Sequence, residues 1–147
     1  MTGIDYPTVT IGGRSLIVKF SLAAQMLMRR RGIDIRKVPS AIAPRLHADG
    51  AGCVDPKCEQ AHTLNLDAED NIMRVFSCMV AHEFVNLDAP ALTSLDAAPS
   101  ADYWASIAET EDFAAIEVSI WTALGKALEA RRSRLQAVPP PAESLAS

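Results

Sequence analysis

The sequence predicts a mainly α fold, a small helical domain with an N-terminal β-hairpin. Three observations carry that expectation. Alanine is abundant while aromatic residues make up only 5% of the 147 residues. Two later segments repeat apolar residues at three- and four-residue spacing, the mark of a helix with one buried face. Near the start, two strand-like runs flank Gly12-Gly13, a pair that supplies the positive φ angles of a tight hairpin turn.

The runs are Thr8 to Ile11 and Leu16 to Phe20, rich in β-branched and apolar side chains. Ser21 is placed to cap a helix, its hydroxyl accepting from an otherwise unpaired amide. Arg29, Arg30 and Arg31 suit the negative end of that helix, and Gly32 suits the left-handed residue that closes it. Ile33 to Pro39 reads as an exit segment, with Pro39 steering Val38 away from helix. Ser40 to Leu46 reads as a short helical turn interrupted at Pro44. His47 to His62, HADGAGCVDPKCEQAH, has two glycines, a proline and no apolar period, and reads as a loop or inserted element.

A second helix is expected from Asp67, with Ile72, Val75, Phe76, Met79, Val80, Phe84 and Leu87 as one stripe. Asp88 to Pro99 reads as a linker, after which Ser100 caps a short helix bearing Tyr103, Trp104 and Ile107. A long helix follows from Thr110 or Glu111, with the acidic group Glu109, Glu111 and Asp112 at its start. Its stripe is Phe113, Ile116, Ile120, Leu124, Ala127 and Leu128, with Trp121 beside it. Pro139-Pro140-Pro141 ends it. The expected organisation is a single domain over 1–138 with a flexible tail over 139–147.

The formal net charge of −4, from 14 basic and 18 acidic side chains, argues against a surface given over to nucleic acid. No apolar run is long enough to span a membrane. MTGIDYPTVT lacks the basic start and apolar stretch of a signal peptide, so the expectation is a cytoplasmic protein with three reduced cysteines.

The best chemical candidate is His47, Cys53, Cys58 and His62, spaced H-x5-C-x4-C-x3-H. Two thiolates and two imidazoles suit a tetrahedral zinc ion, although the spacing matches no standard finger. The alternative is a solvated insertion whose cysteines and histidines are incidental. Cys78 and His82 lie four apart on one helical face, as a nucleophilic pair would, but a buried cysteine beside a rim histidine is the simpler reading. No catalytic residue is assigned, no cofactor apart from zinc is implied, and an enzyme is not expected. Met26, Arg29, Arg30 and Arg31 are the candidate partner contacts, since methionine adapts to varied surfaces and the arginines are the strongest local charge. Leu22, Met26 and Met28 otherwise read as core.

The order YPTVTIGGRSLIVKFSLAAQMLMRRRGIDI, NIMRVFSCMVAHEF, DYWASIAE and EDFAAIEVSIWTALGKAL resembles the tail assembly chaperones of long-tailed bacteriophages and prophages. The resemblance covers residues 6 to 38 and 68 to 128, and His47 to His62 stands outside it. It implies a chaperone that solubilises the tape measure protein during tail assembly, with the tail tube protein as a second partner. It further implies many copies along one partner, a host-cytoplasmic location, and absence from the mature virion. The alternatives are a zinc-stabilised binding module, with nucleic acid among its partners, and a prophage structural or connector protein.

Overall fold

The computed structural model describes residues 5–85 and 95–137. Leu87, most of the linker and the expected tail from Pro139 onward lie outside the described residues.

The hairpin forms as expected. Strand β1 (Thr8–Ile11) pairs antiparallel with β2 (Arg14–Ile17), with Ile11 opposite Arg14, so that only Gly12 and Gly13 turn the chain. Both have positive φ, 59° and 82°, as a two-residue turn between twisted strands requires. Val9, Ile11 and Leu16 point into the core, while β2 is shorter than expected, ending at Ile17.

Helix α1 (Leu22–Arg30) is bounded by its predicted signals. The Ser21 hydroxyl accepts from the Ala24 amide at 3.1 Å. At the other end Ile33 N–H donates to the Met28 carbonyl and Gly32 N–H to the Arg29 carbonyl, the paired bonds of a Schellman closure around a left-handed Gly32. Ala24, Leu27 and Met28 face inward. Leu22 and Met26 do not: Leu22 is exposed and Met26 partly so, which corrects the expectation that they belong to the core.

Pro39 does not keep Val38 out of helix. Helix α2 (Val38–Ala41) has Val38 at φ −56°, ψ −50°, with Pro39 in its first turn. Proline is tolerated there because its missing N–H would have no helical acceptor, and burial of Val38 supplies the driving force. The expected helical turn up to Leu46 is therefore displaced towards the N-terminus, and Arg45–Leu46 is strand β3. It sits between β4 (Gly52–Cys53) and β5 (Thr63–Leu64) in a small antiparallel sheet, so the inserted segment is built rather than irregular.

Helix α3 (Ala68–Met79) is the centre of the molecule, packed on α1, on α4 (Ala101–Ile107) and on α5 (Asp112–Ala137). It stops earlier than its stripe suggests, and residues Ala81–Phe84 continue as a 3₁₀ turn. The turn aims two side chains at β2. His82 Nε2 lies 2.8 Å from the Ile17 carbonyl, and the Glu83 carboxylate accepts from the Ile17 amide at 2.9 Å. One residue at the end of β2, Ile17, thus has both backbone polar groups met by side chains, which blunts an otherwise open strand edge.

Ser100 caps α4, accepting from the Tyr103 amide at 3.4 Å, and Trp104 is buried among Phe76, Phe84 and Tyr103 in edge-on contacts. In α5 the Asp112 carboxylate caps the Glu109 amide at 2.8 Å. Ile116, Ile120, Ala123 and Leu124 are buried, but Leu128 is 60% exposed and Leu135 70%. The stripe expected to run to Leu128 ends at Leu124, because the body of the domain ends there.

Arg31 holds α1 to the remainder. Its guanidinium donates to the Ser77 hydroxyl at 3.0 Å and to the Ala98 carbonyl at 3.2 Å, while Arg74 donates to the Arg31 carbonyl at 3.1 Å. Hydrogen bonds from a charged donor into a partly buried site stabilise more than neutral ones. Arg31→Ala is therefore expected to cost about 2 kcal/mol in urea unfolding, while Arg29→Ala on the exposed side should cost no more than about 0.5 kcal/mol. Gly125→Ala, where an added methyl meets no atom within 4 Å, should stabilise α5 by up to about 1 kcal/mol in the same measurement.

Candidate metal centre

The sheet β4–β3–β5 brings the four separated residues together. Arg45 pairs with Cys53 and Leu64, and Leu46 with Gly52 and Thr63. His47, one step beyond β3, and His62, one step before β5, are therefore neighbours, with ring centroids 5.1 Å apart. Two turns deliver the rest. Asp49 accepts from the Ala51 amide and closes the loop between β3 and β4. In Asp55-Pro56-Lys57-Cys58 the Asp55 side chain accepts from Lys57 N–H at 2.9 Å and its carbonyl from Cys58 N–H at 3.2 Å. Aspartate first and proline second are what such a turn favours, and it folds Cys58 back towards Cys53.

One ligand atom from each of His47, Cys53, Cys58 and His62 lies within 4.8 Å of every other. Donors around tetrahedral zinc stand about 3.3–3.8 Å apart, given the usual Zn–S and Zn–N lengths, so the group needs a contraction of roughly 1.5 Å at most. His47 Nδ1 and His62 Nε2 are buried and lack a hydrogen-bond partner. Buried polar atoms are seldom left so, and two converging imidazole nitrogens beside two thiols make a complete donor set. Burial, with the positive charge of Arg45 beside it, holds the His62 imidazole below its ordinary pKa and so favours the neutral form that ligates metals.

The segment has little else to hold it. The apolar core cluster includes no residue between Ile42 and Ile72, and Val54, Leu64 and Leu66 are exposed. Polar anchors tie its base to the domain. Ser40 Oγ accepts from Gly52 N–H at 2.6 Å, and Asn65 donates to the carbonyls of Ala41 and Ala43 at 3.1 and 2.8 Å. Asn71 donates to Ala41, and Arg45 reaches the Asp55 carbonyl at 3.3 Å. None of these anchors was singled out from sequence. They serve backbone carbonyls and an amide that meet them only once β4, with Gly52 in close backbone approach to α2, is in place.

The other candidates fare differently. Cys78 is fully buried, and burial pushes its thiol pKa up despite the nearby Arg31 guanidinium, the setting of a core cysteine. Its companion His82 is engaged with Ile17. Among the proposed partner contacts, Arg31 is committed internally and Arg30 faces Asp96 at 3.4 Å. Arg29 and Met26 remain on the outer side of α1. Comparison with known protein families, curated proteins and solved structures finds no match.

A Cβ at residue 52 would run into the backbone carbonyl of Ser40. Gly52→Ala is accordingly expected to detach the β3–β5 segment from α2. Hydrogen exchange at the amides of His47, Gly52 and Asn65 should accelerate by more than about tenfold, while the α3 amides keep their protection.

Proposed function

We propose that this protein is a tail assembly chaperone of the long-tailed phage type, acting by binding rather than catalysis, and that a zinc ion fixes its inserted segment. Support for the first part is the packing of the segments that carry the resemblance: the hairpin, α1, α3, α4 and α5 share one core, and the inserted segment stands outside it. The outer face of α1 offers the docking surface. Leu22, Met26 and Arg29 recur at four- and three-residue spacing on its exposed side, the pattern by which one helix lies along another. A flexible methionine at the middle of that face accommodates the varied apolar stripe of a long helical tape measure protein. The tail tube protein is the second partner in this reading, the host cytoplasm is the site of action, and the chaperone leaves before the virion matures.

Support for zinc is the convergence of the two unbonded imidazole nitrogens with the two cysteines in a segment that lacks an apolar core. The metal's part is structural: with four protein donors no position is left open for a substrate or water, as in other closed zinc sites.

Co-expression with the tape measure protein encoded in the same gene cluster tests the chaperone. Wild-type protein should raise its soluble yield and co-purify with it, and Met26→Glu should abolish both. Unchanged solubility with no complex overturns the reading. For the metal, freshly purified protein should contain one zinc per chain by elemental analysis, and Cys53→Ser should lose it. Chelation should speed hydrogen exchange over 45–64 and leave the helical circular dichroism largely intact, because the main core is elsewhere.

A further inference from the structure

Helix α5 outruns the domain it belongs to. Among the described residues its last buried one is Leu124, yet it continues to Ala137, so about a dozen residues project, roughly 20 Å at the helical rise per residue. A helical stretch of that length is marginal in water without packing. The projection carries one distinctive face. Leu128, Arg131, Arg132 and Leu135 fall at i, i+3, i+4 and i+7, hence on one side, with two exposed leucines framing two exposed arginines.

The complementary surface lies at the opposite end of the same helix. A groove of about 570 Å³ opens between α3, α4 and the first turns of α5. Its floor includes Met73 and Phe113, and its rim carries the exposed Glu69, Asp70, Asp102 and Glu109, with no basic residue in its lining among the described residues. Arg31 and Arg74 line an adjoining pocket, where Arg74 donates to the Arg31 carbonyl and Arg31 to the Ser77 hydroxyl. An apolar floor under an acidic rim is what a Leu-Arg-Arg-Leu helix face requires.

The projecting end cannot reach this groove in its own molecule. Phe113, in the groove, and Leu128 belong to one continuous helix, about 22 Å apart along a stiff rod. We infer that the groove receives the Leu128–Leu135 face of α5 from a second copy of this chain. Such a contact joins two different surfaces, so it repeats head to tail and builds a chain or ring of copies rather than a closed dimer. The proposal stands apart from the chaperone reading, although copies joined in this way could line a long partner.

Charge reversal in the full-length, zinc-replete protein tests it. Sedimentation velocity across a concentration series in low salt should show wild-type self-association that weakens at high salt. The tip variant Arg131→Glu/Arg132→Glu and the groove variant Glu69→Lys/Asp102→Lys/Glu109→Lys, which leaves three lysines against Asp70 on the rim, should each weaken association by more than about tenfold, because each sets like charges face to face. Mixing the two variants should restore association, since each tip then meets a groove of opposite sign. A monomeric wild type, variants that associate undiminished, or a mixture that stays dissociated overturns the proposal. If the wild type is monomeric and the groove variant alone loses the tape measure protein, the groove takes a partner's helix instead. Circular dichroism and zinc content matched to wild type exclude misfolding. Tape measure co-purification, scored separately, shows whether the chaperone reading stands or falls on its own.

Discussion

The structure depends on burying the second half of α3. Val75 through Met79 are buried without a break, and Val80 and Ala81 continue the run. Five successive buried residues in a helix cover more than a full turn, so that part of α3 must be enclosed on all sides rather than laid on a surface. The enclosure comes from α1, α4 and α5 around it, with the hairpin packed against α5. Enclosure also brings a polar obligation, because Ser77 lies in the buried run. Its hydroxyl donates to the Arg74 carbonyl at 2.7 Å and accepts from Arg31 at 3.0 Å. An unmet hydroxyl there would carry the full desolvation cost. The arginine at the end of α1 is thus recruited by the position of one serine.

That recruitment explains why the arginine group reads differently in sequence and in space. Three consecutive arginines look like one patch of charge, but consecutive helical residues point about 100° apart. Arg31 turns inward to Ser77 and Ala98, Arg30 turns to Asp96, and Arg29 stays outside. The local signals held: the hairpin turn at Gly12-Gly13, the Ser21 and Ser100 caps, the Gly32 closure and the onset of α3 are set by neighbouring residues. The end of α3, the helical Val38 and the limit of the α5 stripe at Leu124 are set by what lies opposite, which periodicity does not contain. Leu128 and Leu124 occupy equivalent places in the pattern, and only the extent of the domain separates them.

The inserted segment shows the same division. Its four donors were legible because cysteine and histidine are chemically conspicuous, and the structure draws all four into one cluster. The supports were not, because asparagine, serine and arginine are ordinary residues until the backbone carbonyls they serve are in place. Asn65 bridges the carbonyls of Ala41 and Ala43 and so joins the exit of α2 to the approach of α3. Through that bridge a segment with no apolar core of its own is registered against the helix that encloses the main one.

Two kinds of cohesion therefore meet at α3, and they are nearly independent. The helices hold one another by apolar burial, while the segment over 45–64 has short strands, polar anchors and a donor cluster. A segment of about twenty residues lacks the buried area to order itself, and small folds of this size normally rely on a metal or a disulfide. Cys53 and Cys58 are free, and a Cys53–Cys58 link would leave both imidazole nitrogens buried and unbonded. A single ion satisfies the two nitrogens and both thiolates at once, which a disulfide does not. Under the proposed zinc reading, the chemistry of the whole donor set, more than the presence of any one cysteine, distinguishes the two staples.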